Sequence, residues 1–307
     1  MTMPSEWLRG CGTALVTPFN AAGEVHEARH RALVERQVAA GVRLLVPCGT
    51  TGEAATLTGP EHERVIALTV EAARGRAKVL AGVGSNATAA TVERARAARA
   101  AGADAVLVVA PYYNKPTQAG LRAHFRAVAD AMGNAPVVLY NVPGRTASNI
   151  TAATTLALAR ETDNIVGVKE ASGDFAQIMA ILRDRPAGFR VLSGDDAVTL
   201  PLIALGAEGV VSVVSNEAPD LMVRLTDQAL SGAWDVAREL HYRLLPLMEA
   251  NFIESNPGPV KAALALMGLL EERFRLPLVP VQEDTRARLR VVLGALDLLS
   301  GATHAAA

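Results

Sequence analysis

Cysteine is nearly absent: Cys11 and Cys48 are the only two in 307 residues. Two cannot staple a chain of this size, so a disulfide framework is excluded and a reduced, cytoplasmic setting is expected. Both read as small buried hydrophobes. Neither sign of charge is in excess, since the formal net charge is −1. With no basic patch, nucleic acid and anionic membrane are poor partners. No apolar run approaches the ~20 residues that span a bilayer. The opening MTMPSEWLRG lacks the basic start and apolar stretch of a secretory signal.

Half of the residues are hydrophobic, enough for a large core. They fall in short apolar runs that alternate with amphipathic stretches. Eight strands are expected, at 13–16, 44–48, 79–83, 105–110, 137–140, 165–169, 190–193 and 209–214. Several are continuously apolar, as parallel strands covered on both faces require. The intervening helices are expected at 27–40, 60–74, 88–101, 117–132, 151–162, 174–185, 195–205 and 219–231. In the second, Val65, Ile66, Thr69, Val70 and Ala73 follow the helical repeat, and Thr58 with Glu61 forms a capping box. Eight βα units in series imply an α/β fold, a (β/α)8 TIM barrel.

The pattern changes after residue 232. No strand run follows, and helices are expected near 233–252, 256–271 and 283–299. The chain therefore divides into a barrel, 10–232, and a C-terminal three-helix region, 233–300, with a disordered tail at 301–307.

In such a barrel, function gathers at the C-terminal ends of the strands. The second strand runs into Gly49-Thr50-Thr51-Gly52-Glu53 and the fourth into Pro111-Tyr112-Tyr113-Asn114. The fifth ends at Tyr140, followed by Asn141-Val142-Pro143-Gly144-Arg145-Thr146. The sixth ends at Lys169-Glu170 and the seventh at Ser193-Gly194-Asp195-Asp196. Taken alone, a lysine in this place is a snorkelling surface residue and a tyrosine a core residue with a satisfied hydroxyl. Together on successive strands, Lys169 and Tyr140 suggest Schiff-base carbonyl chemistry. A Schiff base needs a neutral amine, which burial or a neighbouring cation supplies. Thr50 and Tyr113 extend Tyr140 into a proton relay. Gly49–Glu53 reads either as a tight turn or as a cradle whose amides and hydroxyls hold a carboxylate. Arg145 is either a solvated charge or a bidentate clamp for a second carboxylate. Asp195 and Asp196 read as a helix N-cap.

His26-Glu27-Ala28-Arg29-His30 matches the H-E-x-x-H zinc signature. His30 falls toward the apolar face with Leu33 and Val34, and no third ligand presents itself. No metal site is expected.

These motifs, with Asn256-Pro257-Gly258-Pro259-Val260-Lys261, resemble the dihydrodipicolinate synthase family of pyruvate-dependent class I aldolases, over about 10 to 299. The resemblance implies condensation of pyruvate with aspartate 4-semialdehyde, in lysine biosynthesis by the diaminopimelate route. Lys169 would form the pyruvate imine. Tyr140, Thr50 and Tyr113 would relay protons, with Tyr113 reaching in from a neighbouring subunit. Thr51 would bind the pyruvate carboxylate and Arg145 that of the semialdehyde. Gly194 and Val211 would line the pocket through their backbones. It further implies a homotetramer of two tight dimers and no cofactor, because the protonated imine is the electron sink. Sialic acid lyases and keto-sugar-acid aldolases share the lysine and tyrosine but lack the arginine, so an aldolase of that kind is the second reading. A catalytically silent binding protein is a third, opposed by the intact Lys169, Tyr140 and Thr50.

Many relatives in this family are inhibited by lysine. The corresponding positions keep Tyr112, His62 and Asn86, but Gly59 and Ala90 stand where a histidine and a glutamate are often found. Loss of that carboxylate removes a charge-assisted contact of roughly 1.5–3 kcal/mol. Weak or absent inhibition by lysine is expected in a steady-state assay, and strong inhibition below millimolar lysine would contradict it.

Overall fold

The computed structural model describes residues 5–299. The tail at 301–307 lies outside them. Eight parallel strands close into one barrel in sequence order. They are β1 (Gly10–Ala14), β2 (Leu44–Val46), β3 (Lys78–Gly82), β4 (Ala105–Val109), β5 (Val137–Asn141), β6 (Ile165–Glu170), β7 (Arg190–Ser193) and β8 (Gly209–Ser212). Around them lie α1 (Glu27–Ala39), α2 (Gly59–Ala73), α3 (Thr88–Ala100), α4 (Gln118–Met132), α5 (Pro143–Thr146), α6 (Ala152–Glu161), α7 (Phe175–Asp184), α8 (Thr199–Ala204) and α9 (Pro219–Leu230). Then follow α10 (Trp234–Ala250), α11 (Gly258–Leu266) and α12 (Glu283–Ala295). The barrel expected from the sequence is therefore the fold found, and Thr58 and Glu61 form the expected capping box on α2.

The differences have local causes. β2 stops at Val46 because Pro47 has no amide to give and Cys48 turns into the left-handed region at φ 56°. β8 stops at Ser212 because the amides of Val213 and Val214 turn aside to Asp196 Oδ2 at 2.9 and 3.0 Å. β1 sits three residues earlier than expected. Its pairing begins with Gly10 opposite Gly209, and Leu15 and Val16 lie beyond the ladder. α8 begins at Thr199 rather than at 195, which places Pro201 in the first turn, where its missing N–H costs nothing. Asp196 is thus no N-cap; it holds the end of β8.

Inside the barrel, Leu44, Val46, Leu80, Leu107, Val138, Leu192 and Val211 pack as one cluster that includes Tyr140. A second core joins β1, β8 and α9 to the C-terminal helices through Cys11, Val210, Met222, Leu244, Leu264 and Leu289. The bottom of the barrel closes tightly. Gly209 has φ 151°, and a Cβ there would lie 2.1 Å from the Gly10 carbonyl oxygen. Gly209→Ala should therefore cost about 3 kcal/mol through a backbone clash that no rotamer relieves. Denaturant midpoints at unchanged slope would register the loss.

Candidate active site

The strand ends meet at one mouth. Tyr140 on β5 lies opposite Lys169 on β6 in the ladder. A register shift produces this pairing: Val137 faces Ile165, but Val138 faces Gly167, so β6 carries one extra residue. Without that bulge Tyr140 would face Val168, and the lysine would fall on the other side of the sheet. Gly167 makes the bulge possible, since a Cβ there would lie 2.7 Å from the Arg190 carbonyl oxygen. Both residues are buried, and the Lys169 amine rests 4.3 Å from the centre of the Tyr140 ring.

The backbone around the lysine is fixed from its outer face. Glu170 is buried, and both of its oxygens accept from Asn141 Nδ2, at 3.1 and 3.2 Å. The Ser172 amide donates to Glu170 Oε1 and Gln177 Nε2 to Oε2. Burial pushes the Glu170 carboxyl up, against the pull of these hydrogen bonds. Gly194 closes the other flank. A Cβ there would lie 3.0 Å from Lys169 Cε and 2.7 Å from Ala171 Cβ. Val211 is buried in the same inner cluster as Tyr140.

A cavity of about 420 Å³ opens from Tyr140. Thr50, Glu53, Val142, Arg145, Tyr112 and Asn256 are among its walls. Arg145 stands exposed on α5, a single turn that apolar periodicity gave no means of expecting. Its Nη2 reaches the Asn256 carbonyl at 3.5 Å, and Asn256 Nδ2 donates to Thr51 Oγ1 at 3.0 Å. Asn256 therefore connects the two residues expected to hold the two carboxylates. Cys48 also lines the cavity, but burial pushes its thiol far above neutrality, which leaves it inert.

Tyr113 is placed differently. Its ring is 88% exposed, and its backbone is held left-handed at φ 74°. An aromatic residue in that conformation carries a strain of roughly 1–2 kcal/mol. Within this chain it does not meet Tyr140 or Thr50 in the cavity wall. Of the expected effector positions, Tyr112 faces the cavity. His62 is buried behind it, with Nε2 on the Gly82 carbonyl at 2.8 Å, and the Asn86 carbonyl accepts from Asn114.

The H-E-x-x-H stretch forms no centre. His26 caps α1 by accepting from the Arg29 amide, and His30 is buried against Thr69 Oγ1 at 2.8 Å. Among the described residues no group of three or more histidine, cysteine or acidic side chains could hold a metal ion.

Sequence reasoning assigned no role to Glu53, Asn256 or Lys261. Glu53 and Lys261 form an ion pair at 2.5 Å with both side chains fully buried. Burial pushes the Glu53 carboxyl up and the Lys261 ammonium down, and each is the principal counterweight to the other. The available signal was that two motifs far apart in sequence each end in one charge, of opposite sign.

The family model described as the dihydrodipicolinate synthetase family matches residues 7–296. A 4-hydroxy-tetrahydrodipicolinate synthase of Koribacter versatilis (strain Ellin345) is 54% identical over 299 residues, covering 97% of this chain and 99% of the relative. The crystal structure of dihydrodipicolinate synthase from Aquifex aeolicus aligns with a TM-score of 0.93 at 45% identity, over 95% of this chain and 99% of that one. A structure described as the first monomeric dihydrodipicolinate synthase variant aligns with a TM-score of 0.93 at 43% identity, over 96% and 99%.

Proposed function

Because the chain belongs to the dihydrodipicolinate synthetase family, we propose that it condenses pyruvate with L-aspartate 4-semialdehyde to 4-hydroxy-tetrahydrodipicolinate. This is a lyase reaction of the diaminopimelate route to lysine. The observation that carries the reading is the buried amine of Lys169 against Tyr140, beside a cavity walled by Thr50 and Arg145.

The Lys169 amine attacks the ketone carbon of pyruvate, and water leaves to give the imine. The imine acidifies the methyl group, which loses a proton to become an enamine. The enamine carbon adds to the semialdehyde carbonyl. The amine of that substrate then attacks the imine carbon and displaces Lys169, closing the six-membered ring. Tyr140 and Thr50 move the protons of these steps. The hydroxyl and amide of Thr51 hold the pyruvate carboxylate. Gly194 leaves room beside Lys169, as the 3.0 Å approach to its Cε requires. The electrons rest on the imine nitrogen, so the sequence of steps calls for no metal or organic cofactor.

Tyr113, exposed and held in a strained conformation, completes the relay of a second copy. The family resemblance implies that the assembly is a homotetramer of two tight dimers. The barrel, 10–232, carries the chemistry, and the helices within 233–299 pack against one side of it. The near absence of cysteine favours the cytoplasm as the enzyme's place of work. The test is direct: purified protein given both substrates should form the cyclic product, and no product from that pair would refute the assignment.

A further inference from the structure

Lys261 belongs to α11, far along the chain from the strand ends, yet two of its three N–H bonds go to the segments that follow β1 and β2. Its three N–H bonds meet three acceptors: Glu53 Oε1 at 2.5 Å, the Thr17 carbonyl at 3.0 Å and the Arg273 carbonyl at 2.5 Å. Phe19 and Phe274 cover it, with ring centres at 4.5 and 4.8 Å. Replacing a buried ion pair by apolar residues of similar volume is often neutral for stability, so the burial of two charges asks for a reason beyond stability.

The reason lies in what Glu53 controls. Glu53 sits left-handed at φ 54° and closes the turn that contains Thr50 and Thr51. Its amide donates to the Thr50 carbonyl, and the Gly52 and Ala54 amides donate to that of Gly49. Thr17, whose carbonyl receives Lys261, also donates its hydroxyl to the Gly52 carbonyl at 2.7 Å. Arg275 pins the far side: it donates to the Thr56 carbonyl at 2.9 Å and pairs with Glu61 at 2.5 Å. The turn is therefore tied to α11 by one ammonium with directional bonds, and to the segment after β1 by the Thr17 hydroxyl.

We propose that the Lys261–Glu53 pair is a positioning device through which the C-terminal region sets the pyruvate-carboxylate turn. This rests on the assignment of Thr51 to that carboxylate. Neither Lys261 nor Glu53 needs to touch the reacting atoms; they act through Thr50 and Thr51.

The test replaces both charges at once, which leaves no unpaired charge in the core. The E53L/K261M enzyme should fold with an unchanged circular dichroism spectrum and a cooperative melt. Its KM for pyruvate should rise by about tenfold or more, with KM for the semialdehyde changed by less than about threefold. A folded double variant with pyruvate KM within about twofold of the parent would overturn the proposal. Should the double variant fail to fold, E53D decides. It keeps the charge and withdraws the carboxylate by one methylene, so a raised pyruvate KM at an unchanged melting temperature is expected, and an unchanged KM overturns the proposal. T51V separates the two levels. If T51V leaves pyruvate KM unaltered, the carboxylate assignment fails. If T51V raises it and the clamp variants do not, only the positioning role fails.

Discussion

Lys169→Ala should carry no adduct after incubation with pyruvate and reduction with borohydride, while the parent carries one that maps to Lys169. Condensation should fall by at least about 10⁴-fold in kcat, because the nucleophile has no substitute. The mapping is unusually clean, since the chain has only four lysines. Lys78 is engaged at the surface with Asp104 at 2.7 Å. Lys115 stands exposed in the loop before α4. Lys261 is fully buried with its N–H bonds filled. Lys169 alone lies buried at the barrel mouth against Tyr140. An adduct on the parent at any other lysine, or one that persists in the variant, would end the Schiff-base mechanism. Removing a buried amine also removes its desolvation cost, so the variant should melt near the parent temperature.

The strand ends were legible because parallel strands buried on both faces must be apolar, which makes the first polar residue stand out. Tyr140 and Lys169 were found in this way. Their pairing depends on a feature the sequence pattern does not carry. Counting residues from the paired starts Val137 and Ile165 puts Tyr140 opposite Val168; only the bulge brings Lys169 onto its face. A bulge is a matter of backbone hydrogen bonding, and its one trace in the sequence is Gly167, which could equally be an ordinary small core residue. β1 was misplaced for a related reason. Its first residues, Gly10 and Gly12, carry no apolar side chain, so the run of visible hydrophobes began too late.

Contacts between distant segments were least legible. Asn256 to Thr51 and Lys261 to Glu53 each bridge the C-terminal helices and the loop after β2. Periodicity describes what a segment does with its own faces and says nothing of which buried charge another segment will meet. The boundary drawn at residue 232 follows the change from βα alternation to helices. The polar contacts cross that boundary at the mouth of the barrel.

Arg145→Ala should separate the two substrates. The side chain is exposed on α5, with a single long contact of 3.5 Å to the Asn256 carbonyl, so its loss should leave the fold and the pyruvate site intact. The borohydride adduct on Lys169 should form as in the parent. Use of aspartate semialdehyde should fall instead, because a guanidinium holding a carboxylate through two parallel N–H bonds is worth roughly 1.5–3 kcal/mol, or about 10–150-fold in kcat/KM. Arg145→Lys keeps the charge without the planar fork, and should recover only part of the loss. The pair of variants distinguishes charge from geometry: equal activity of the lysine and arginine enzymes would mean that attraction alone selects the substrate. Normal turnover of the alanine enzyme would remove Arg145 from substrate selection altogether.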